Sequence, residues 1–328
     1  MNCNPILIVA GEPNSIFLEI FFKSINSKKF KSPIILICSR KILFLQMKKF
    51  RFSININDLD YKKLNSYKLD NKSINLINIE YNQKKTFEKI SNKSSDYIKR
   101  SFEIAFKIIK NGFSNKLING PISKKKFLDK KFLGITEYIS KKFLINKNAM
   151  LIFNKNLSVC PVTTHLPIKS VSKKISKNII SEKVFLINSF YKNKFKFKPK
   201  IAILGLNPHC ESIDKYNEDE EIIKPTVKYL KKLKYKISGP HSADTIFLKE
   251  NRKKYDVILG MYHDQVLTPL KTLFEYDAIN ITLGLPFIRI SPDHGPNEKM
   301  LGKNLSDPLS LIRAIEFLDK NWLKLKKV

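Results

Sequence analysis

Several residue types are rare in this 328-residue chain, and their scarcity excludes whole classes of protein. Only four cysteines occur, at positions 3, 38, 160 and 210, and no two of them form a C-x-x-C pair. This pattern argues against a disulfide framework and favours a reducing, cytoplasmic compartment. No apolar run reaches membrane-spanning length, and no basic segment precedes the first run at 5–10. We therefore interpret residues 5–10 as a first β-strand.

Arginine is also rare, since six arginines accompany 55 lysines in a chain of formal net charge +32. Proteins that read nucleic acids rely on arginine for bidentate and stacking contacts, and they interleave aromatic side chains along the basic surface. Here lysine is spread along the whole chain with asparagine, isoleucine and phenylalanine, as A/T-biased codons would produce. We therefore interpret the charge as a solvated surface that steers anionic substrates, and we expect neither a nucleic-acid partner nor a membrane.

The glycine-rich turn of an ordinary dinucleotide-binding domain is missing, because residues 11–17 lack its later glycines. Apolar runs nevertheless alternate with helical patterns, which predicts an α/β fold with a largely parallel sheet. The predicted strands are 5–11, 33–38, 74–79, 116–122, 150–153, 157–164, 200–206, 257–262 and 278–283. The clearest predicted helices are 95–110 and 308–325, the latter with Asp307 as a cap and Pro308 at its first position, and an amphipathic helix is predicted near 182–191. Residues 82–95 predict a mobile polar connection.

Three of the five histidines follow strand-like runs. His165 comes after the run 157–164, His209 after 200–206, and His263 after 257–262 at the start of a predicted loop. Ligands of open α/β sheets bind at the carboxyl ends of the strands. Three imidazoles placed there could hold one divalent metal ion and leave coordination positions open for a substrate. One histidine alone is more often structural, so the prediction depends on all three.

Seven short segments with distinctive residues occur in one order along the chain. They are 11–13, 119–124, 163–167, 206–209, 239–245, 261–265 and 282–295. Together they closely resemble the signature segments of the 4-hydroxythreonine-4-phosphate dehydrogenase family of pyridoxal phosphate biosynthesis, over essentially the whole chain. The resemblance implies a three-layer α/β/α fold of two lobes, like that of isocitrate and isopropylmalate dehydrogenases. One lobe would comprise 1–130 and 285–328, the other 131–284, with the active site in the cleft between them.

The resemblance also implies a reaction. In that family 4-phosphooxy-L-threonine is oxidised by NAD and then decarboxylated to 3-amino-2-oxopropyl phosphate. Both steps place negative charge on the same oxygen, so one divalent metal ion bound there would assist both. NADP is the alternative cofactor, and Zn, Mg and Co are the candidate metals. The family forms a homodimer whose two copies share each active site.

Roles follow residue by residue from the positions that match the family's segments. The implied metal ligands are His165, His209 and His263. The implied substrate-binding residues are Thr136, Lys271, Asn280 and Arg289. The cofactor would touch the loop 294–303, at His294, Gly295 and Gly302. Asp244 and Asp264 are the candidates for orienting a ligand histidine or accepting the alcohol proton, although either could instead be structural, Asp244 as a helix cap.

One departure from the family bears on substrate choice. The family has a histidine where Ile135 stands, so a polar contact beside Thr136 is missing. Two other functions therefore stay open: a dehydrogenase of another four-carbon phosphorylated acid, such as threonate or erythronate 4-phosphate, and a decayed homologue that serves as a basic binding module. Retention of the three histidines together with Lys271 and Arg289 argues against decay.

Overall fold

The computed structural model describes residues 4–123, 127, 134–214, 216–292 and 294–320. The chain folds into two compact units. The first comprises the chain up to Leu144 together with Leu285–Lys320, and the second comprises Ile145–Gly284. The sequence places the corresponding boundaries at 130 and 284. No helix in the described part of the chain is long and apolar enough to span a membrane.

Strands and helices alternate along most of the described chain. The strands are β1 (Ile6–Val9), β2 (Ile34–Cys38), β3 (Ile56–Asp58), β4 (Ile74–Asn78), β5 (Lys116–Asn119), β6 (Ala149–Phe153), β7 (Ser158–Thr163), β8 (Ile201–Leu204), β9 (Ile237–His241), β10 (Val257–Tyr262), β11 (Ile279–Leu283) and β12 (Ile288–Pro292). The helices are α1 (Phe17–Ser27), α2 (Arg40–Lys49), α3 (Ser94–Lys110), α4 (Ile135–Lys142), α5 (Lys177–Phe195), α6 (Lys224–Lys232), α7 (Ala243–Ile246), α8 (Lys249–Arg252), α9 (His263–Phe274) and α10 (Leu309–Asp319).

In the first unit the strands are all parallel, in the order β3-β4-β2-β1-β5-β12. All four side chains of β1 are completely buried, which a parallel sheet achieves when helices cover both of its faces. Phe102 and Phe106 of α3 join one apolar cluster with alternate residues of β1 and β2. The central strands therefore read as unbroken apolar runs, and this is why the sequence predicts them well.

In the second unit the strand order is β11-β6-β7-β10-β8-β9. β7, β10, β8 and β9 run parallel, whereas β6 is antiparallel to both of its neighbours. α9 starts directly after β10, and its Val266 and Leu270 are buried in a cluster with Val159 and Ile258. The carboxyl ends of β7, β10 and β8 therefore lie side by side along one edge of this sheet.

The predicted α/β class with a mostly parallel sheet is confirmed, and the errors concern short elements. β3, β9 and β12 are not predicted, because they are short or carry glycine, proline or arginine within an apolar pattern. The prediction of a loop at His263 is wrong, since α9 begins at that residue. The strand end and the helix N-terminus therefore coincide there.

Two predicted boundaries also change. α10 begins at Leu309, so Pro308 occupies the N-cap position predicted for Asp307. Asp307 still accepts a hydrogen bond from the Leu309 N–H at 2.7 Å, just outside the helix. The helix ends at Asp319, before the predicted end, and 321–325 lie outside the described residues. The predicted helix 95–110 starts one residue earlier, because α3 begins at Ser94. Within the predicted connection 82–95, the Glu88 N–H donates a hydrogen bond to Asn14 Oδ1 at 2.7 Å.

Gly120 provides a test of the packing at the end of β5. A Cβ at this position would lie 2.1 Å from the carbonyl oxygen of Ala10 and 2.8 Å from the ring of Phe17. Because a backbone atom cannot move aside easily, we expect Gly120→Ala to lower the free energy of unfolding by about 1–3 kcal/mol, the usual cost of overpacking. Urea denaturation followed by circular dichroism would measure it.

The matched control is Gly295→Ala, because in the described part of the chain no heavy atom lies within 4 Å of a Cβ at that position. The free energy of unfolding of this variant should lie within about 0.5 kcal/mol of the parent value, as is usual for substitutions on an open surface. Equal losses of stability in the two variants would contradict the close approach of β5 to β1.

Candidate functional site

The three histidines implicated by the sequence follow three adjacent parallel strands of the second unit. His165 follows β7, His263 follows β10, and His209 follows β8, and β10 lies between the other two strands. The ring centroids of His165 and His263 are 5.7 Å apart. His165 and His209 are exposed and His263 is half-buried. The parallel register thus delivers three imidazoles to one edge of a buried sheet.

Two of these histidines have an unfavourable backbone conformation. The φ angles of His165 and His209 are 53° and 54°, in the left-handed region that non-glycine residues seldom occupy. Cys210, directly after His209, has φ 62°. Residues held in this way cost on the order of 1–3 kcal/mol each, and they occur most often at functional sites. The strain at both histidines therefore supports a functional role for these two turns.

Two polar side chains join the three strand ends to one another. Thr163 at the end of β7 donates its hydroxyl hydrogen bond to the carbonyl of Met261 in β10 at 2.8 Å. Gln265 in the first turn of α9 accepts from the Met261 N–H at 2.6 Å and donates to the carbonyl of Gly205 at 2.7 Å. Both side chains are buried, so these bonds are shielded from water. Relative movement of the three histidine-bearing turns is restrained as a result.

A cavity of about 280 Å³ opens beside the end of β8. His209, Asp244, Tyr262 and Gln265 contribute to its lining. Asp244 lies in the first turn of the four-residue helix α7 and is exposed to solvent. The cavity therefore combines one predicted metal ligand with one of the two predicted catalytic carboxylates.

The second predicted carboxylate, Asp264, contacts a histidine directly. Its Oδ1 lies 2.6 Å from Nδ1 of His263, and both residues belong to the first turn of α9. When Nδ1–H donates to this carboxylate, Nε2 of His263 is left with its lone pair for another partner. Metal-binding histidines usually donate their other ring N–H to a carboxylate, a backbone carbonyl or water, and this pair has that arrangement.

The donor chemistry of the three imidazoles fits a divalent ion. Within the described ranges, no group of three His, Cys, Asp or Glu side chains is close enough to hold a metal ion. Cys210 adjoins His209, yet it is buried beneath the turn, and burial raises the pKa of its thiol. A protonated thiol is a poor ligand, so the imidazoles are the better donors.

Arg289 of β12 is the predicted substrate residue with the most restrictive surroundings. Its side chain is 1% exposed, and its Nε donates to Asn119 Oδ1 at 2.7 Å. One terminal nitrogen donates to Thr136 Oγ1 at 3.3 Å. Burial lowers the pKa of the guanidinium to about 10, an effect that the Glu137 carboxylate opposes, so the group is still charged at neutral pH. Arg289 and Thr136, both predicted to bind substrate, are therefore in contact.

The remaining predicted substrate residues lie on other elements. Lys271 is exposed on α9, and Asn280 is half-buried on β11. Asn280 Oδ1 is buried and has no hydrogen-bond partner in the described part of the chain, so a ligand could satisfy it. Ile135 begins α4 and packs against the apolar cluster of the first unit.

The predicted cofactor loop belongs to the first unit. The ring of His294 lies 6.2 Å from that of Phe17, and the carbonyl of Pro296 accepts from the Ile16 N–H at 3.2 Å. Gly295 is exposed, and Gly302 adopts a positive φ of 71° that glycine tolerates. Asp293, which precedes these residues, lies outside the described ranges.

Four residues without a sequence-derived role hold the site together. Asn119 anchors Arg289, Thr163 and Gln265 join the strand ends, and Asp219 binds the turn before His209. The sequence does carry a signal for three of them, because Asn119, Thr163 and Gln265 lie inside the distinctive segments. Asp219 lies in an acidic run, 218–221, that resembles an ordinary solvated surface.

Comparisons with known proteins identify the family of this chain. The profile of the family described as "Pyridoxal phosphate biosynthetic protein PdxA" matches residues 29–318. A protein of Sulfurihydrogenibium sp. (strain YO3AOP1) named 4-hydroxythreonine-4-phosphate dehydrogenase is 39% identical over 316 residues, covering 95% of this chain and 96% of the relative. A protein of the same name from Wigglesworthia glossinidia brevipalpis is 34% identical, covering 94% of each chain.

The fold is shared with a solved structure. The 4-hydroxythreonine-4-phosphate dehydrogenase of Klebsiella pneumoniae superposes with a TM-score of 0.84 over 98% of this chain and 99% of that one. Its sequence identity of 24% establishes likeness of fold alone. The family assignment rests on the family profile and on the two full-length relatives. The chain belongs to the family of the pyridoxal phosphate biosynthetic protein PdxA.

Proposed function

We propose that this chain is an NAD(P)-dependent dehydrogenase that oxidises and decarboxylates 4-phosphooxy-L-threonine to 3-amino-2-oxopropyl phosphate in pyridoxal 5'-phosphate biosynthesis. The observation that carries the proposal is the placement of three histidines at the ends of three adjacent parallel strands. The names of the full-length relatives supply the substrate and the reaction class.

His165, His209 and His263 are the proposed ligands of one divalent metal ion. Bound by neutral imidazoles, the ion would keep its full charge and would stabilise negative charge on the substrate oxygen. A homodimer in which two copies supply the ligands of each site is part of the proposal. It agrees with the finding that, among the described residues of one copy, no three candidate ligands gather.

Arg289 and Thr136 are the proposed binding site for an anionic group of the substrate. Asn119 orients the guanidinium by accepting a hydrogen bond from Nε, and one terminal nitrogen donates to Thr136. A buried guanidinium in fixed orientation can form paired hydrogen bonds with a carboxylate or phosphate. Lys271 and Asn280 are proposed to bind further polar groups of the same substrate.

Asp264 and Asp244 are proposed to have different tasks. Asp264 contacts His263 and would fix the orientation and tautomer of that ring. Asp244 lines the cavity beside His209 without contacting a histidine in the described structure, so it is the better candidate to accept the alcohol proton. The oxidation removes a proton from the hydroxyl and a hydride from its carbon. Cleavage of the bond between the carboxylate and the adjacent carbon then releases CO₂.

NAD is the proposed hydride acceptor, with NADP as the alternative, and His294, Gly295 and Gly302 are its proposed contacts. The exposed backbone at Gly295 would permit close approach of a dinucleotide. We propose a cytoplasmic location, since Cys38, Cys160 and Cys210 are free buried thiols.

Ile135 keeps one alternative open. Its side chain packs on an apolar cluster and cannot donate a hydrogen bond to an anionic substrate. A dehydrogenase acting on threonate or erythronate 4-phosphate, which lack the amino group, is therefore the second candidate. The decayed binding module is disfavoured, because a decayed protein would have no reason to retain strained histidine turns and a buried, oriented arginine.

The metal site predicts a specific loss of metal. We expect His165→Ala, His209→Ala and His263→Ala each to lose bound divalent metal and NAD-dependent turnover while remaining folded, because each removes one of three donors. Metal content after dialysis, turnover and circular dichroism would be measured. His241→Ala is the control, since His241 lies outside the trio and contacts Ser238 Oγ at 2.7 Å. Full metal content in all three variants would contradict the assignment.

If Arg289 binds an anion through paired hydrogen bonds, a positive charge alone at this position should not be sufficient for substrate binding. Arg289→Lys keeps the charge but loses the contacts to Asn119 and Thr136 and the paired geometry. Each lost hydrogen bond to a charged group is worth about 1.5–3 kcal/mol, so kcat/KM should fall roughly tenfold to a hundredfold. Steady-state kinetics with the phosphorylated substrate would measure this.

Arg100→Lys is the matched control, because Arg100 lies on the surface of α3 in an exposed pair with Asp96. Asn119→Ala is a milder second variant should the buried Arg289→Lys fold poorly, and it should raise KM through disorientation of the guanidinium. Unchanged kcat/KM in Arg289→Lys would refute the proposed role of the Arg289 guanidinium in binding an anionic group of the substrate.

Ile135→His tests the choice of substrate. If 4-phosphooxy-threonine is the substrate, the added donor should lower KM for it roughly tenfold to a hundredfold, the effect of one hydrogen bond to a charged group of about 1.5–3 kcal/mol. Compensation by a lysine at 124–126 is the alternative, and these residues lie outside the described ranges. A higher KM for this compound, with faster turnover of threonate 4-phosphate by the parent, would favour the second candidate.

A further inference from the structure

Asp219 is a buried carboxylate whose bonds converge on the turn before His209. The side chain is 0% exposed, and it lies on a five-residue π-helical turn, Asp219–Ile223, that leads into α6. Its Oδ1 accepts from the Leu206 N–H at 2.9 Å, and its Oδ2 accepts from the Asn207 N–H at 3.0 Å. The Asn207 side chain donates a third hydrogen bond to Oδ2 at 3.1 Å.

Gly205 allows this close approach. A Cβ at that position would lie 2.6 Å from Asp219 Oδ1 and 2.7 Å from Cys210 Sγ. The backbone of the turn therefore lies directly on the carboxylate, with no side chain between them. Buried charge is costly unless N–H donors satisfy it, so a strong mutual attraction holds the turn and the carboxylate together.

The strained residues follow immediately after the bound ones. Pro208 separates Asn207 from His209, and His209 and Cys210 both have positive φ. The Cys210 N–H donates to the Asn207 carbonyl at 3.1 Å, which closes the turn. Two consecutive strained residues persist only when their surroundings over-determine the conformation. Asp219 supplies this constraint from one side, and Gln265 supplies it from the other through Gly205.

We infer that Asp219 is a positioning residue for His209: it holds the 205–210 turn in the strained form that presents this imidazole for metal binding. The inference rests on the proposed metal site. Asp219 itself contacts backbone and Asn207, so it acts through the turn and does not contact the substrate.

Cobalt binding tests the inference without reference to turnover. Apo protein, full length and in its native oligomeric state, is titrated with Co²⁺, and the visible absorption bands report affinity and coordination. In Asp219→Asn one acceptor becomes a donor facing the donors of the turn. We expect the affinity for Co²⁺ to fall about 10- to 100-fold, as when a residue that orients a metal ligand is lost. Glu221→Gln removes a charge from an exposed residue two positions away and should bind Co²⁺ like the parent.

A double-mutant cycle separates positioning from general damage to the fold. If Asp219 acts through His209, Asp219→Asn should have little further effect in the His209→Ala background. In the His165→Ala background, where His209 is still present and weak binding is titrated at high Co²⁺ concentration, it should still weaken binding. Equal further losses in both backgrounds would overturn the inference, because they would indicate unfolding instead of positioning.

The outcomes also distinguish this inference from the proposed function. If His209→Ala leaves Co²⁺ binding unchanged, the metal site is wrong and the inference fails with it. If His209→Ala weakens binding but Asp219→Asn does not, only the positioning role fails. Should Asp219→Asn not fold, Asn207→Ala carries the test: it removes one of the three donors and should weaken Co²⁺ binding by less, and unchanged affinity would overturn the inference.

Discussion

The parallel pairing of β10 with β7 and β8 is the constraint on which the candidate site depends. Parallel strands end at the same edge of a sheet, so residues that follow them are neighbours however far apart they lie in sequence. The pairing is stabilised by strands that are almost completely buried. The apolar interior thus fixes the positions of the strand ends. A histidine that directly follows one of these ends is thereby placed close to the others.

Polar residues convert that approximate placement into a defined geometry. Thr163 and Gln265 form hydrogen bonds between strand ends, where the regular ladder has stopped and free backbone groups need partners. In the first unit Asn119 does the same for Arg289. Each of these side chains is buried, so its hydrogen bonds compete little with water. The site is held by residues that do not themselves react.

The fold could be predicted from the sequence because long apolar runs are strong signals, and the residues of the candidate site could be proposed because they belong to scarce residue types. His165, His209 and His263 stand out in a chain with five histidines, and Arg289 among six arginines. β9 and β12 could not be predicted, since their Gly, Pro and Arg residues interrupt the apolar pattern. The helical start at His263 was missed because a histidine and an aspartate after a strand equally suit a loop.

Asp219 shows why positioning residues are the hardest part of a site to predict. In sequence it is one of four acidic residues in the run 218–221, and Glu220 and Glu221, which follow it in the same helical turn, are exposed. Only the fold distinguishes it, because the π-helical turn directs this one carboxylate inward beneath Gly205. The local pattern is the same for a solvated surface and for a buried anchor. What differs is a long-range contact, across twelve to thirteen residues, that offsets the strain at His209.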